Sequence, residues 1–220
     1  KDSLGIQTIF LVNDQQAFGA GQCEAFEAAA KELGLEIVAV STFTDETTDF
    51  SVQVTAAKEA GAELVFLPIY YTPASMILMQ ANAMGYAPTF FGCDGLDGIL
   101  TKVSDVAYAE NVMMLTPFAS DAPDENVQSF VKAYEAAYGA TPDQFAADAY
   151  DAVYVIKAAV EKSGVTPDMS VSDICDAMET AMTEITVDGL TSKGMTWNAD
   201  GEPNKDPLVV KIVNGAYEIQ

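Results

Sequence analysis

The sequence predicts an α/β fold in which a doubly wound parallel sheet is covered by helices on both faces. Three observations support this fold class. The first half of the chain alternates between strand-like and helix-like segments. The strand-like segments are continuously apolar instead of alternating, which is typical of strands that are buried on both faces. The helix-like segments between them are about a dozen residues long, as connections between parallel strands require.

The first five strands and their connecting helices are predicted in chain order from apolar, β-prone runs and from apolar residues at helical spacing. Gly61 stands where a helix commonly ends, and Thr72-Pro73 is typical of a helix start. Pro68 indicates that the end of strand three leaves the sheet. The predicted strands are Ile6–Val12, Glu36–Phe43, Leu64–Tyr71, Thr89–Cys93 and Asn111–Phe118. The first predicted helix ends near Leu33, and the other three are Asp49–Ala60, Thr72–Gly85 and about Leu96–Val106.

The second half of the chain has a different pattern. Three helices are predicted at Asp124–Tyr138, Asp143–Lys162 and Val171–Met182, and no strand lies between them. These helices therefore need a sheet from elsewhere. The chain ends in a predicted hairpin, Leu208–Val213 with Ala216–Ile219, whose Asn214-Gly215 pair fits a type I′ turn.

The change of pattern predicts two lobes. The crossovers between them are expected near 116–120 and 188–200.

Composition excludes several classes of function. The formal net charge is −23, and Arg and His are absent. Such a surface repels phosphate backbones and anionic lipid heads, so we expect no nucleic-acid partner. Without His, Ser-His-Asp and Cys-His nucleophile systems and His-ligated metal sites are excluded. No apolar run approaches the ~20 residues of a membrane helix, so we expect no insertion into a membrane.

The remaining sequence signals are weaker. Cys23, Cys93 and Cys175 are widely spaced, which favours buried free thiols over a metal or disulfide framework. Gly19-Ala20-Gly21 lacks the third glycine of a dinucleotide-binding loop, and no cofactor is expected. No signal-peptide pattern stands at Lys1, so any targeting segment is expected to precede this sequence.

The candidate site lies at the carboxyl ends of the predicted strands, where ligands bind in open α/β sheets. The loop after strand one carries Phe18, strand three ends in Tyr70 and Tyr71, and strand four ends at Asp94. Aromatic side chains around one acid suit a cation with apolar flanks. The plainer interpretations stay open: Asp94 as a helix-capping or turn residue, and the aromatic residues as hydrophobic packing.

Two further residues have alternative interpretations. Asp94 and Asp97 could form a catalytic carboxylate pair, but two aspartates three residues apart on one turn are common turn residues. Phe145 is, on its pattern alone, a core residue of the second long helix.

The ordered set of motifs resembles the later two-thirds of type I periplasmic binding proteins of the branched-chain amino-acid (Leu/Ile/Val) class, the receptor subunits of ABC importers. The resemblance covers nearly every residue from Ile6 to Ile219. It rests on NDQQAFGAGQ at Asn13–Gln22, TDFSVQVTAAKEAGAELVFLPIYYTPAS at Thr48–Ser75, FFGCDGLDG at Phe90–Gly98, YGATPDQFAADAYDAV at Tyr138–Val153, and GMTWNADGEPNKDPLVVKI at Gly194–Ile212.

The resemblance implies a role for each candidate residue. Phe18 matches an aromatic residue that flanks the ligand backbone, and Tyr70 a tyrosine that contacts the ligand. Asp94 matches the acid that holds the α-ammonium group, shortened here from the glutamate of some relatives. Phe145 matches an aromatic residue of the opposite lobe that closes over the pocket.

The resemblance also implies a mechanism and partners. An amino acid binds one lobe, hinge rotation buries it between two, and an ABC permease in the membrane recognises the closed form. By the family's topology, residues 1–115 with about 190–220 form one nearly complete lobe (lobe two), and about 119–184 form the helical remainder of the other (lobe one). Members of the family begin with a segment that builds most of lobe one and grips the ligand's carboxylate. That segment is missing here, so we expect it from a longer parent chain or from a separate chain.

The resemblance implies a location outside the cytoplasm, either in the periplasm or lipid-anchored on the outer face of the membrane. It implies a binding protein and no enzyme. Three alternatives stay open: a ligand-sensing receptor domain of the same fold, a binder of a small molecule other than an amino acid, and a carboxylate-dependent hydrolase. The absence of histidine and of a nucleophile elbow from this sequence argues against the hydrolase.

Overall fold

A computed structural model describes residues 4–220 of the chain. Residues 1–3, which the sequence analysis assigns to lobe two, lie outside the described residues. The chain divides into two units. Unit 1 holds the described residues up to Thr116 together with Val209–Gln220, and unit 2 holds Pro117–Leu208.

Unit 1 is built on a seven-stranded sheet. Its strands in chain order are β1 (Thr8–Asn13), β2 (Glu36–Thr42), β3 (Leu64–Leu67), β4 (Thr89–Gly92), β5 (Met113–Thr116), β6 (Leu208–Val213) and β7 (Ala216–Ile219). Their order across the sheet is β2-β1-β3-β4-β5-β6-β7. The first five strands pair in parallel, and β6 with β7 forms an antiparallel hairpin. The predicted α/β class with a mostly parallel sheet is confirmed.

Both faces of this sheet are covered in unit 1. The connecting helices are α1 (Ala17–Glu32), α2 (Ser51–Glu59) and α3 (Tyr71–Ala83). On one face, Cys23 and Phe26 of α1 pack against Leu11 and Phe66. Every residue of β3 is buried, which explains why its sequence shows no polar alternation.

Two predictions in unit 1 are wrong in their details. Strand β3 ends at Leu67 instead of Tyr71, which agrees with the expectation that the chain leaves the sheet at Pro68. Helix α3 begins at Tyr71, with Tyr70 at its N-cap position, ahead of the predicted start at Thr72. The helix expected over about Leu96–Val106 is replaced by three short 3₁₀ turns. Glycine at position 98 has a φ of +97°, which a right-handed helix does not contain. The 3₁₀ turns are Asp94–Leu96, Ile99–Thr101 and Val106–Ala109.

Unit 2 contains the three predicted helices, α4 (Glu125–Tyr138), α5 (Gln144–Ser163) and α6 (Val171–Met182). Each begins after a side chain that accepts a hydrogen bond from a backbone N–H of the first turn, which stabilises a helix start. These N-cap residues are Asp124, Asp143 and Ser170.

The second boundary between the units differs from the expected one. Residues 190–208 belong to unit 2, whereas the sequence analysis groups them with residues 1–115 in lobe two. The buried carboxylate of Asp151 on α5 accepts hydrogen bonds from the backbone N–H groups of Leu190 at 2.8 Å and Thr191 at 2.9 Å, and from the Thr191 hydroxyl at 2.7 Å. Lys205 Nζ lies 3.0 Å from Asp148 Oδ1. These contacts tie the segment to α5.

One face of α5 is apolar and exposed. Val153 is 64% exposed and Ile156 is 55% exposed, and Phe145 and Val160 lie on the same stripe of the helix. The sequence pattern predicts that this stripe is covered, but most of the side chains of α5 that are buried within unit 2 lie on the opposite face, at Gln144, Ala147 and Asp151. None of the helices over residues 4–220 combines the length and apolar character that a membrane span requires.

Candidate functional site

The topology of unit 1 places one crevice at the carboxyl end of the sheet. The chain moves from β1 to β2 on one side, and then to β3 on the other side of β1. The loops after β1 and β3 therefore leave neighbouring strands in opposite directions. Open α/β sheets bind ligands at such a switch point.

Two of the predicted aromatic residues meet at this point. Phe18 lies in the first turn of α1 and is partly buried, and Tyr70 precedes α3 and is 43% exposed. Their ring centroids are 5.1 Å apart with an interplanar angle of 21°, which is a stacked arrangement. The structure therefore brings Phe18 and Tyr70 together from loops that are about fifty residues apart in sequence.

The loop after β4 packs against the same pair. A Cβ atom added to Gly95 would lie 2.7 Å from the carbonyl oxygen of Ile69 and 3.5 Å from Cε1 of Phe18. Only glycine allows the loops after β3 and β4 to approach this closely. Asp94 directly precedes Gly95 and is partly buried. Phe18, Tyr70 and Asp94 therefore belong to one cluster of loops at the carboxyl end of the sheet.

The negative charge of Asp94 affects the neighbouring thiol. Burial, assisted by the charge of Asp94, raises the pKa of Cys93 to about 12. Burial also raises the pKa of Cys23, although Asn13 Nδ2 donates a hydrogen bond to its sulfur at 3.1 Å. The thiol of Cys93 therefore stays protonated at neutral pH.

The cysteines only partly follow the prediction of buried free thiols. All three are free, but only Cys23 is fully buried, Cys93 is partly buried, and Cys175 on α6 is exposed. The prediction is wrong for Cys175.

Tyr71 and Phe145 are the other two predicted site residues. The ring of Tyr71 lies beside Gly98, where an added Cβ atom would be 3.3 Å from Cδ1 of the ring, and Lys102 Nζ lies 5.7 Å from the ring centroid. Phe145 lies in the first turn of α5 in unit 2 and is 38% exposed. The contacts of Tyr71 do not place it in the cluster of Phe18, Tyr70 and Asp94, and Phe145 belongs to the other unit.

Sequence reasoning missed the residue that anchors the loop after β4. The hydroxyl oxygen of Tyr217 on β7 accepts a hydrogen bond from the backbone N–H of Gly98 at 3.3 Å. Tyr217 also bonds to the side chain of Asp97, which is 7% exposed. The sequence identified Asp97 only as a turn residue, and no local signal could have identified a partner more than a hundred residues away.

Unit 2 carries a separate groove of about 380 Å³. Aromatic side chains of α4 and α5, among them Phe130, Tyr150 and Tyr154, line it together with Asp151 and Asp188. Asp151 there accepts three hydrogen bonds from the chain around Thr191, which gives it a structural role. None of the predicted site residues lines this groove.

Within residues 4–220, no cluster of three or more His, Cys, Asp or Glu side chains has a geometry that could hold a metal ion.

Known proteins resemble this chain in sequence and in fold. The sequence profile of a family described as periplasmic binding protein matches residues 1–216. "Leu/Ile/Val-binding protein homolog 3" of Brucella melitensis is 29% identical over 155 residues, which cover 70% of this chain and 42% of that protein. The "Leucine-, isoleucine-, valine-, threonine-, and alanine-binding protein" of Pseudomonas aeruginosa is 25% identical over 158 residues, which cover 71% of this chain and 42% of that protein.

A solved structure agrees with these matches. The branched-chain amino acid transporter substrate binding protein LivJ of Streptococcus pneumoniae, in complex with isoleucine, has a TM-score of 0.84 and 26% identity, covering 100% of this chain and 61% of that chain. The chain thus spans less than two thirds of the length of these relatives. The matched proteins are binding proteins and not enzymes, and they are of the Leu/Ile/Val class that the sequence resembles. Because the profile spans nearly all of the sequence and the fold agrees, the chain belongs to the periplasmic binding protein family.

Proposed function

We propose that the chain is part of an extracytoplasmic solute-binding protein that captures a small amino acid and delivers it to an ABC importer. The observation that carries this proposal is the convergence of Phe18, Tyr70 and the Asp94–Gly95 loop at the switch point of the sheet. The names of the matched relatives support an amino acid with a branched or other aliphatic side chain.

In this proposal each residue of the cluster has a chemical role. The Asp94 carboxylate pairs with the ligand's α-ammonium group, and a partly buried position strengthens that attraction relative to water. Phe18 and Tyr70 present aromatic faces to the ammonium group and to the adjacent carbon atoms, as cation–π recognition requires. Tyr71 and Phe145 stay predicted contacts, and their roles depend on the arrangement of the full-length protein.

The second half of the binding site is proposed to come from outside unit 1. An amino acid carries a carboxylate as well as an ammonium group, so a complete site needs hydrogen-bond donors for that carboxylate. We propose that unit 1 is lobe two, that unit 2 is the C-terminal part of lobe one, and that the rest of lobe one comes from a longer parent chain or a separate chain.

Two observations support a missing part of lobe one. The stripe that includes Val153 and Ile156 on α5 is apolar and exposed, and such a face is normally buried against another element. The matched relatives are also much longer than the part of them that this chain covers. A sheet laid against α5 would bury the exposed stripe.

A calorimetric titration tests the role of Asp94. The full-length gene product is titrated with leucine, isoleucine and valine, and the Asp94→Ala variant is titrated in the same way. A charge-assisted hydrogen bond contributes about 1.5–3 kcal/mol, so we expect the dissociation constant to rise about 10-fold to 100-fold.

Two matched variants separate the local effect from a change in net charge. Asp94→Asn keeps the shape of the side chain, and we expect it to bind weakly because the charge is lost. Glu59→Gln removes one charge from the last turn of α2, at the amino-terminal edge of the sheet, and we expect the affinity of the unmodified protein. Equal affinities for the unmodified protein and Asp94→Ala would refute the ammonium assignment.

A further inference from the structure

The loop after β4 is held by a residue from the far end of the sequence. Tyr217 lies on β7, and its hydroxyl oxygen accepts a hydrogen bond from Gly98 N at 3.3 Å, across a separation of 119 residues. The same hydroxyl bonds to the Asp97 side chain and to the backbone N–H of Leu100. Tyr217 thus contacts three successive parts of the segment between residues 97 and 100.

The hydrogen-bond network around Tyr217 has matched donors and acceptors. Asp97 is 7% exposed, and its Oδ1 accepts a hydrogen bond from Gly98 N at 2.9 Å. A buried carboxylate needs such donors, because an unpaired one is costly. Burial, together with the negative charge of Asp97, raises the pKa of Tyr217 well above its ordinary value. The hydroxyl therefore keeps its proton at neutral pH and donates a hydrogen bond to the Asp97 carboxylate.

The hairpin that carries Tyr217 is itself fixed within unit 1. The backbone N–H of Ile212 on β6 donates to Val112 O at 2.8 Å, and Asn111 N donates to Ile212 O at 2.9 Å. At the turn, Asn214 N donates to Glu110 Oε2 at 2.9 Å. These hydrogen bonds fix the hairpin of Tyr217 to residues 110–112, independently of the loop after β4.

The segment it contacts has little regular structure of its own. Between β4 and β5 the chain forms only short 3₁₀ turns, whose hydrogen bonds are weaker than those of an α-helix. The first of these turns begins at Asp94, and its closing hydrogen bond runs from Asp97 N to Asp94 O at 3.0 Å. A fixed position for Asp97 therefore fixes the turn that presents Asp94.

We infer that Tyr217 is a positioning residue for the ligand site: its hydroxyl holds the segment 97–100 through Asp97 and Gly98, and so places the Asp94 carboxylate. This inference rests on the proposed role of Asp94 in ligand binding. It assigns the C-terminal hairpin a part in the ligand site.

The first test measures the loop without ligand. Amide hydrogen exchange is followed by NMR at Gly98 and Leu100 in the full-length protein and in Tyr217→Phe, which removes only the hydroxyl. We expect these two amides to exchange faster in the variant. Tyr86→Phe is the matched control, because the Tyr86 hydroxyl is also half-buried in unit 1 and donates to Ala62 O at 2.9 Å. Its removal should leave Gly98 and Leu100 unchanged.

The second test measures affinity by calorimetry with isoleucine, well below the melting temperature of each variant. Loss of one hydrogen bond from the network predicts that Tyr217→Phe binds about threefold to tenfold more weakly, while Tyr86→Phe binds normally. Adding Tyr217→Phe to an Asp97→Ala background should weaken binding little further, because both changes break the same network.

The outcomes separate this inference from the proposed function. Unchanged exchange at Gly98 and Leu100, or unchanged affinity in Tyr217→Phe when the unmodified protein binds isoleucine, overturns the positioning role and leaves the ammonium assignment standing. An equal loss of affinity in Tyr217→Phe and Tyr86→Phe also overturns it, because a general loss of stability then explains both. A flat titration of the unmodified protein with all three branched-chain amino acids refutes the proposed function, and with it the role of Tyr217 in binding.

Discussion

Asp94 has a turn role in the structure, and we propose a ligand-binding role for it as well, although the sequence presents the two as alternatives. Its backbone begins a 3₁₀ turn and its carbonyl oxygen accepts the closing hydrogen bond from Asp97, so the turn role is present in the structure. The same turn packs Gly95, the residue after Asp94, against Ile69 and Phe18. A turn residue at the end of a buried strand is therefore well placed for ligand binding, because the turn itself fixes its direction.

Gly95 offers a test of how tightly these loops are packed. A Cβ atom in Gly95→Ala would lie 2.7 Å from the carbonyl oxygen of Ile69, so the backbone must shift. Overpacking of this kind costs about 1–3 kcal/mol, and we expect the free energy of unfolding to fall by that amount in urea denaturation. Gly21→Ala in the interior of α1 is the control, since no atom lies within 4 Å of its added Cβ. It should stabilise the protein by about 0.5–1 kcal/mol, and a loss of stability as large as that of Gly95→Ala would contradict the interpretation.

At the scale of the element, α5 separates helix formation from helix burial. Asp143 as N-cap and Gly164 at the other end define its limits, and both signals are local. Which face is buried is not a local property. Asp151 lies on the face that unit 2 buries, because it receives the hydrogen bonds of Leu190 and Thr191. The more apolar face, with Val153 and Ile156, is exposed in this chain.

The exposed face of α5 predicts a difference between the 220-residue chain and the full-length protein. Val153→Gln with Ile156→Gln should change the free energy of unfolding of the 220-residue chain by less than about 0.5 kcal/mol, as exposed substitutions do. In the full-length protein, the same pair of substitutions should lower the free energy of unfolding by about 2–5 kcal/mol, because buried apolar side chains would be lost. Urea denaturation of both proteins measures the difference.

Val171→Gln is the matched control for this pair of substitutions. Val171 on α6 is 78% exposed, and we expect its substitution to be neutral in both proteins. Equal effects of the α5 pair in the two proteins would contradict the proposal that another part of lobe one covers this helix.

At the scale of the whole molecule, charge is the dominant feature. The net charge is −23, with 10 basic and 33 acidic residues. Over the described residues, the four ion pairs all lie in unit 2, and three of them include a residue of α5. Most carboxylates therefore repel one another across the surface, and this repulsion destabilises the folded state.

Screening of this repulsion predicts a salt-dependent melting temperature. Raising sodium chloride from about 10 mM to about 1 M shortens the Debye length from about 30 Å to about 3 Å. We expect the melting temperature, followed by circular dichroism at pH 7, to rise over this range. Choline chloride at equal ionic strength should give the same rise, because screening does not depend on which cation is present. A melting temperature that is constant or falls with salt would contradict this prediction.

Much of the fold is predictable from neighbouring residues. Both strands of the C-terminal hairpin and the limits of α6 coincide with the predicted residues, because the Asn214-Gly215 turn and the Ser170 cap act over a few positions. The helix that the sequence predicts over about Leu96–Val106, in the loop after β4, is wrong, because short 3₁₀ turns form there. The glycine at position 98, with its positive φ, prevents that helix.

The candidate site is predictable to the same extent. The order of strands places Phe18, Tyr70 and Asp94 at one edge of the sheet, and this could be inferred once the strands were identified as parallel. The stacking of Phe18 on Tyr70 and the approach of Gly95 to Ile69 could not, because they depend on the turns that end the strands.

The sequence by itself determined the alternation of strand and helix, the parallel sheet, the helix caps and the acidic surface, because each depends on composition or on residues close together in the chain. Only the tertiary structure decided that residues 190–208 belong with α5, that the most apolar face of α5 is exposed, and that Tyr217 bonds to Gly98 in the loop after β4. These features depend on contacts between residues tens to more than a hundred positions apart, for which a single sequence carries no local signal.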